Sequence, residues 1–366
     1  IDSSTVVALM QARASQNVRT FSIGFDEPGF NEAEHAAEVA RHLGTEHTEL
    51  YVTPDDALDL VPRLPDLYDE PFADSSQLPT FLVSEMTRKH VTVALSGDGG
   101  DELFCGYSRY PSVHKRWQVR NGVGGAARRL LTRLPEGPTA HVIRSLIPSQ
   151  RGRSALAIRH RLKAERALAS AASLSEFYRQ SVSFWTEPEC FLSNVNEPLY
   201  GLSGNLPNVI PQDSLKTLMW RDLNWYLPDD ILVKVDRAAM ACSLETRIPM
   251  LDPNVVAFAL SLPLSYNLKG GIGKQVLRSV LYRHVPQSMV DRPKQGFAVP
   301  VGQWLRGPLR PWAESLLQPS VFDKQDYLDR LVVHAYWQEH LKGREDYSAE
   351  LWGILMFLAW LERTGG

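Results

Sequence analysis

Val91-Thr92-Val93-Ala94-Leu95-Ser96-Gly97-Asp98-Gly99-Gly100-Asp101-Glu102-Leu103-Phe104-Cys105-Gly106-Tyr107 is the stretch on which the fold of this 366-residue chain turns. Its first five residues form a short apolar run suited to a buried parallel strand. The chemistry then changes within one residue. Gly97, Gly99 and Gly100 let a backbone come close to an anion or adopt positive φ. Asp98, Asp101 and Glu102 crowd three carboxylates into five residues, a repulsion that a divalent cation or a cationic ligand relieves. A solvent turn has a similar composition, but a turn set directly behind an apolar strand reads better as a functional loop.

Upstream of that loop, helix and strand signals alternate. Thr5–Ala14 reads as a helix and Arg19–Phe25 as a strand rich in β-formers. Glu32–Leu43 is an Ala/Glu-rich helix closed by Gly44, and Glu46–Val52 is a second strand. Pro54 opens a helix over Asp55–Arg63, and Pro79–Lys89 is helical. This alternation predicts a parallel α/β sheet, with ligands at the carboxyl ends of its strands. Beyond about residue 115 the pattern is mainly helical, with candidates at Leu215–Leu227, Asp236–Ser243, Lys274–His284 and Ala349–Arg363. The expected division is therefore an α/β part over 1–115 and a helical part over 116–366.

Composition narrows the class. Hydrophobic residues at 44% and charged residues at 22% are globular values and exclude disordered, collagen-like and coiled-coil chains. The longest apolar stretches, Val255–Leu264 and Gly353–Leu361, fall short of the roughly 18–20 residues that span a bilayer, so no membrane partner is expected. No signal peptide is visible, and the start at Ile1 without Met suits a trimmed chain or a piece of a longer one. Cys105, Cys190 and Cys242 form neither a disulfide framework nor a zinc pattern and fit reduced thiols in the cytoplasm. The net charge of −3 conceals an asymmetry: Asp2–Glu102 carries 19 acidic and 6 basic residues, whereas Lys115–Arg166 carries 13 basic and 2 acidic. The basic segment could hold nucleic acid, but it lacks interleaved aromatics for base stacking, and its recurrent leucines suit the solvated faces of amphipathic helices. A nucleic-acid partner is thus the weaker reading.

A second candidate site opens the chain. Asp2-Ser3-Ser4 begins a helix; serines there can cap it, and a helix N-terminus offers N–H groups to phosphate. Taken with the Ser96–Gly106 loop, it resembles the end of a pyrophosphate loop of the form Ser-Gly-Gly-x-Asp-Ser. Eight blocks in order carry a wider resemblance: Ile1–Ser4, Phe21–Phe25, Asp69–Asp74, Ser96–Gly106, Leu227–Arg237, Ser243–Asp252, Gly273–Arg278 and Arg292–Phe297. The chain resembles the C-terminal synthetase domain of glutamine-dependent asparagine synthetases, among the pyrophosphatase-loop ATP hydrolases.

The resemblance implies an α/β fold with a parallel sheet of the adenine-nucleotide α-hydrolase type and a large helical remainder. It implies one synthetase domain over 1–366, missing its first strand, the Ser-Gly-Gly half of the loop and an N-terminal glutaminase domain. Such a chain is expected to form adenylate poorly by itself. The implied reaction activates the aspartate side-chain carboxylate with ATP and Mg2+ as β-aspartyl-AMP, which ammonia drawn from glutamine converts to asparagine. Asp2 and Asp101 would hold magnesium. Ser3 and Ser96 would contact phosphate or ribose, with Gly97 allowing close approach, and Ile23 and Gly24 would face adenine.

Lys274 would stabilise charge on the transferring phosphate; without the resemblance it reads as an ordinary lysine at a helix start. Asp98 would take the proton when ammonia attacks, or only orient the nucleophile. Arg292 and Lys294 complete an anion-binding surface or sit in a solvated loop, and Glu245 with Arg247 reads as a structural ion pair. Asp74-Ser75-Ser76 lines the site by resemblance alone. A homodimer is compatible with all of this. Alternatives are a related amidotransferase, or a β-lactam-forming or peptide-cyclising synthetase acting on another carboxylate. His35, Glu38 and His42 share a helix face, but two turns separate the histidines, which favours surface or packing roles over metal.

Overall fold

Two strands, β1 (Arg19–Phe25) and β2 (Glu46–Val52), run parallel in the computed structural model, from Arg19 opposite Glu46 to Phe25 opposite Val52. The structure describes residues 1–25, 33–121, 155–185, 188, 191–192, 210, 214–291 and 299–365. Both strands have the bounds expected from their sequences, because alternating β-branched and aromatic residues define them locally. Their carboxyl ends are the buried ends: Ile23, Phe25 and Val52 are each less than 5% exposed. Between them lies α2 (Ala33–Leu43), which Gly44 terminates at φ 72°.

Helix α1 (Asp2–Gln11) precedes β1. It begins at Asp2, so Ser3 and Ser4 are its second and third residues, and no side chain caps it. The expected serine cap is not made, because a cap must stand before the first helical residue. Helix α3 (Pro54–Leu60) passes into a 3-10 turn over Val61–Asp66, where Pro62 and Pro65 cannot donate to an α-helical ladder. Helix α4 (Gln77–Arg88) packs on β1 and β2 and buries Leu78 and Phe81.

Strand β3 (Val93–Leu95) is shorter than expected and is not buried: Val93 is 43% and Leu95 42% exposed. It pairs in parallel with β4 (Glu245–Arg247), a strand that the sequence reading missed. The parallel arrangement holds, but the described strands form two separate two-stranded ladders, β1–β2 and β3–β4. Arg247 and Glu245 do form an ion pair, at 2.8 Å along one face of β4. After β3 come the one-turn helix α5 (Gly100–Leu103) and, much later in the chain, α6 (Val233–Ala241), which packs on α4 and β4. Helix α7 (Gln275–Leu281) packs against α1.

Two apolar clusters lock these parts together. Ala8, Val39, Leu281, Val285 and Val290 join α1, α2 and α7. Leu103, Phe104, Met250, Ala259 and Leu277 join α5 to α7, with Ile1 and Val6 of the first helix segment packed against them. The first turn of α1, the loop after β3 and the start of α7 therefore share one hydrophobic foundation.

The chain divides into two compact units that do not follow a single cut at residue 115. One is Ile1–Ser108 with Asp222–Pro300, and the other is Arg109–Arg221 with Val301–Gly366. Residues 222–300 return to the first unit because β4, α6 and α7 pack on β3, α4 and α1. The second unit is mainly helical where described, with one isolated antiparallel bridge between Leu192 and Leu328. Its helix Ser348–Thr364 buries Leu351, Trp352, Leu355 and Leu358, so this aromatic-rich stretch is core. Of the basic segment, Arg116 lies over Phe177, and Arg120 donates to the carbonyls of Ala169 and Ala171. Residues 122–154 of that segment, Cys190, and Arg292 with Lys294 lie outside the described residues. Among the described residues no helix is long and apolar enough to cross a membrane.

Candidate active site

Three distant pieces of chain meet at the carboxyl end of β3. Lys274, at the start of α7, sends its ammonium to the Asp2 carboxylate and to Asp101 Oδ1, the latter at 2.8 Å. The lysine is 6% exposed. Burial pulls its pKa down, and the Asp2 and Asp101 charges and hydrogen bonds more than reverse this, so the net shift is upward. One cation thus faces two carboxylates in a site mostly closed to water.

The glycines of the loop make this convergence sterically feasible. A Cβ on Gly97 would lie 2.5 Å from the backbone nitrogen of Ser3, and one on Gly106 would run into the Lys274 stem and the Asp101 carboxylate. The missing Gly97 side chain therefore serves the approach of α1. Ser3 itself is exposed. Ser96 donates from Oγ to Asp98 Oδ2 at 2.8 Å. Burial raises the Asp98 pKa, against the Ser96 bond and the Lys234 charge, with Asp2 and Asp101 adding to the rise.

A second buried lysine lies close by in the fold. Lys234 of α6 donates to Asp74 Oδ2 at 2.6 Å and to Ser76 Oγ at 2.8 Å. Ser76 also donates its backbone N–H to Asp74 Oδ1 at 2.9 Å. Burial works against the Asp74 carboxylate, but Lys234 and the Ser76 bonds hold its pKa below the usual range. Asp74 and Ser76 thus belong to an ionic tether that fixes the turn before α4. In the sequence Lys234 looks like any lysine on an amphipathic helix, and no local pattern marks this role. Glu102, the third of the crowded carboxylates in the loop after β3, is a buried acid with a hydroxyl partner. It is 2% exposed, accepts from Tyr107 Oη at 2.7 Å, and burial lifts its pKa to about 7.

The structure thus brings together Asp2, Gly97, Asp101 and Lys274, with Ser96 and Asp98 on the same loop. Ile23 and Gly24 are buried near the carboxyl end of β1 and paired with Leu50 and Tyr51. His35 lies 3.7 Å from Glu38, and His42 bonds the His284 carbonyl, so this helix face makes surface and packing contacts. Among the described residues no three His, Cys, Asp or Glu side chains form a metal cluster. The donor set of Asp2 and Asp101 nevertheless fits magnesium shared with phosphates, an ion that commonly takes one or two carboxylates. Asp2 Oδ1 is buried without a hydrogen-bond partner among the described residues, an acceptor with capacity to spare.

Parallel strands, a glycine- and carboxylate-rich loop at a strand's carboxyl end and a lysine inserted between two acids define an α/β protein with a charged cluster at the strand end, where α/β sheets generally place their ligands. The family model for asparagine synthase matches residues 1–362, and the chain belongs to that family. It is 29% identical over 360 residues to asparagine synthetase (glutamine-hydrolyzing) 1 of Bacillus subtilis, covering 98% of this chain and 54% of that protein. A putative asparagine synthetase (glutamine-hydrolyzing) of Mycobacterium bovis is 33% identical over 365 residues, covering 98% of this chain and 52% of the relative. A putative asparagine synthetase (glutamine-hydrolyzing) 2 of Methanocaldococcus jannaschii is 34% identical over 243 residues, 66% of this chain and 43% of the relative. The chain spans about half the length of the first two of these relatives.

Proposed function

We propose that the protein, at its natural length, is an ATP-dependent amide-forming ligase that makes asparagine from aspartate. The observation that carries this reading is Lys274 held between Asp2 and Asp101 at the end of β3. Phosphoryl chemistry on a carboxylate brings like charges together, so its catalyst must concentrate cations around the phosphates. Asp2 and Asp101 would hold magnesium, which when bound neutralises phosphate charge.

In the first step an oxygen of the aspartate side chain bonds to the α-phosphorus of ATP. The α–β bridging bond breaks, and pyrophosphate leaves with the electron pair. Lys274 supplies a positive charge for the oxygens on which negative charge grows, and its flexible stem lets the ammonium follow that charge. Ser3 and Ser96 contact phosphate or ribose, and Ile23 and Gly24 meet the adenine through backbone groups. In the second step ammonia bonds to the acyl carbon of β-aspartyl-AMP. One proton passes to the Asp98 carboxylate, whose raised proton affinity suits it to that task, and AMP departs. The ammonia comes from glutamine, through a glutaminase domain ahead of this region. This part of the reading is supported by the glutamine-hydrolyzing names of the relatives and by their greater length.

The same reading puts one more parallel strand between β1 and β3. Its support is the separation of the two ladders and the apolar Val93 and Leu95 left exposed on β3. ATP–pyrophosphate exchange by the natural-length protein tests the function. Exchange that requires aspartate is expected. Exchange driven only by a different carboxylate, as in a β-lactam-forming or peptide-cyclising synthetase, would replace aspartate in this account, and no exchange with any acid would refute it.

A further inference from the structure

Lys274 reaches its two carboxylates from a backbone conformation that lysine seldom adopts, φ 59° and ψ 31°. Such a conformation is strained for a residue with a side chain and persists only where the surroundings enforce it. Here the peptide unit between Gly273 and Lys274 is held from both sides. Its N–H, on Lys274, donates to the Phe104 carbonyl at 2.9 Å, in the turn that closes α5. Its C=O, on Gly273, accepts from Arg278 Nε at 3.1 Å. Gly273 has no space for a side chain, because a Cβ there would strike the Cys105 carbonyl.

Arg278 stands one helical turn beyond Lys274, and its other end is anchored as well. Its Nη1 pairs with Asp291 Oδ1 and lies 3.3 Å from Tyr282 Oη. Asp291 in turn accepts from Tyr282 Oη at 2.6 Å and from Gln287 Nε2 at 2.5 Å. One edge of the guanidinium therefore grips the carbonyl that sets the Lys274 backbone, while the other is braced by a carboxylate with two further donors. A lysine at 278 has a single ammonium and cannot serve both ends of this fork.

We infer that Arg278, braced by Asp291 and Tyr282, is a positioning residue that holds the Gly273–Lys274 peptide in its left-handed turn and so delivers the Lys274 ammonium between Asp2 and Asp101. The consequence for catalysis rests on the reading of Lys274 as the cation at the transferring phosphate. The test uses the natural-length protein and the variants R278A, R278K, D291N, K274M and the R278A/K274M pair. Aspartate-dependent ATP–pyrophosphate exchange is expected to fall about 30-fold in R278A and R278K and about 5-fold in D291N, and the double variant is expected to match K274M within about 2-fold. Added guanidinium ion restores part of the exchange in R278A and none in K274M. Independently of activity, hydrogen exchange at the Lys274 amide speeds up in R278A more than at amides elsewhere in α7 and in α1. Multiplying losses in the double variant, or unchanged protection of the Lys274 amide in R278A, overturns the positioning role. Absent exchange in the wild type together with lost amide protection in R278A leaves the positioning role standing and refutes the proposed function instead.

Discussion

Lys274 and Lys234 are both nearly buried, both bonded to carboxylates and both in the same compact unit, yet their surroundings differ in one decisive respect. Lys234 meets one carboxylate, Asp74, and one hydroxyl, Ser76. Asp74 balances its charge at contact, and the group ties α6 to the turn before α4, while the same ammonium also acts at longer range on Asp98. Lys274 meets two carboxylates, so a negative charge is left over, and Asp2 Oδ1 has no hydrogen-bond partner among the described residues. A balanced pair gains little from another ion, whereas an unbalanced one attracts it. The same ingredients thus build a structural tether in one place and, on the proposed reading, a cation-accepting centre in the other.

The largest effect that would break this contrast is on catalysis. K274M is expected to lower aspartate-dependent ATP–pyrophosphate exchange by about 1,000-fold, the scale of losing one preorganised charge contact in the transition state; loss of 3-fold or less would put Lys274 among the tethers. Next comes stability at the other lysine. K234M leaves the buried Asp74 carboxylate unpaired and should cost about 3 kcal/mol in urea unfolding, with K234R recovering most of it because a guanidinium also meets an acid and a hydroxyl.

Glu350 gives a smaller, pH-dependent comparison, being a buried carboxyl in the second unit whose pKa burial pushes up to about 7 from 4.5. A raised folded-state pKa stabilises below about pH 4.5, and that stability is lost as the pH rises through about 7. Unfolding midpoints taken across that window should fall with pH in the wild type and stay flatter in E350Q. The smallest effect belongs to the exposed pair of Arg237 with Asp69, whose side chains are 46% and 74% exposed. D69N should shift stability by no more than about 0.5 kcal/mol, since solvent and salt screen such pairs.

The parts of this molecule readable in advance are those that sequence defines locally. β1 and β2 appear with their expected bounds because apolar or β-branched residues recur at every second position, Phe21, Ile23 and Phe25 in one and Thr48, Leu50 and Val52 in the other. β4 was invisible, since Glu-Thr-Arg is three residues long, mostly charged and exposed, and becomes a strand only by pairing with residues 93–95. The expected burial of β3 failed for a related reason: an apolar run states what a strand can bury, while its neighbours decide what covers it. Asp101 was legible from its own loop, as carboxylates crowded among glycines after a strand. Its meeting with Asp2 and Lys274 was legible only through the family resemblance, because 272 positions separate Asp2 from Lys274 and no local pattern spans them. Arg278 and Asp291 were hidden in the same way, as polar residues whose meaning comes from the single peptide they support.

The most direct test of the central claim measures how far magnesium and ATP together raise the unfolding temperature of the natural-length wild type and of D2N, D101N and D74N. The unbalanced centre predicts a clear rise in the wild type, a rise retained in D74N from its lower starting point, and almost none in D2N and D101N. Equal stabilisation of D2N and D101N by magnesium and ATP would contradict the account, because the ligand would then be held somewhere other than the two carboxylates around Lys274.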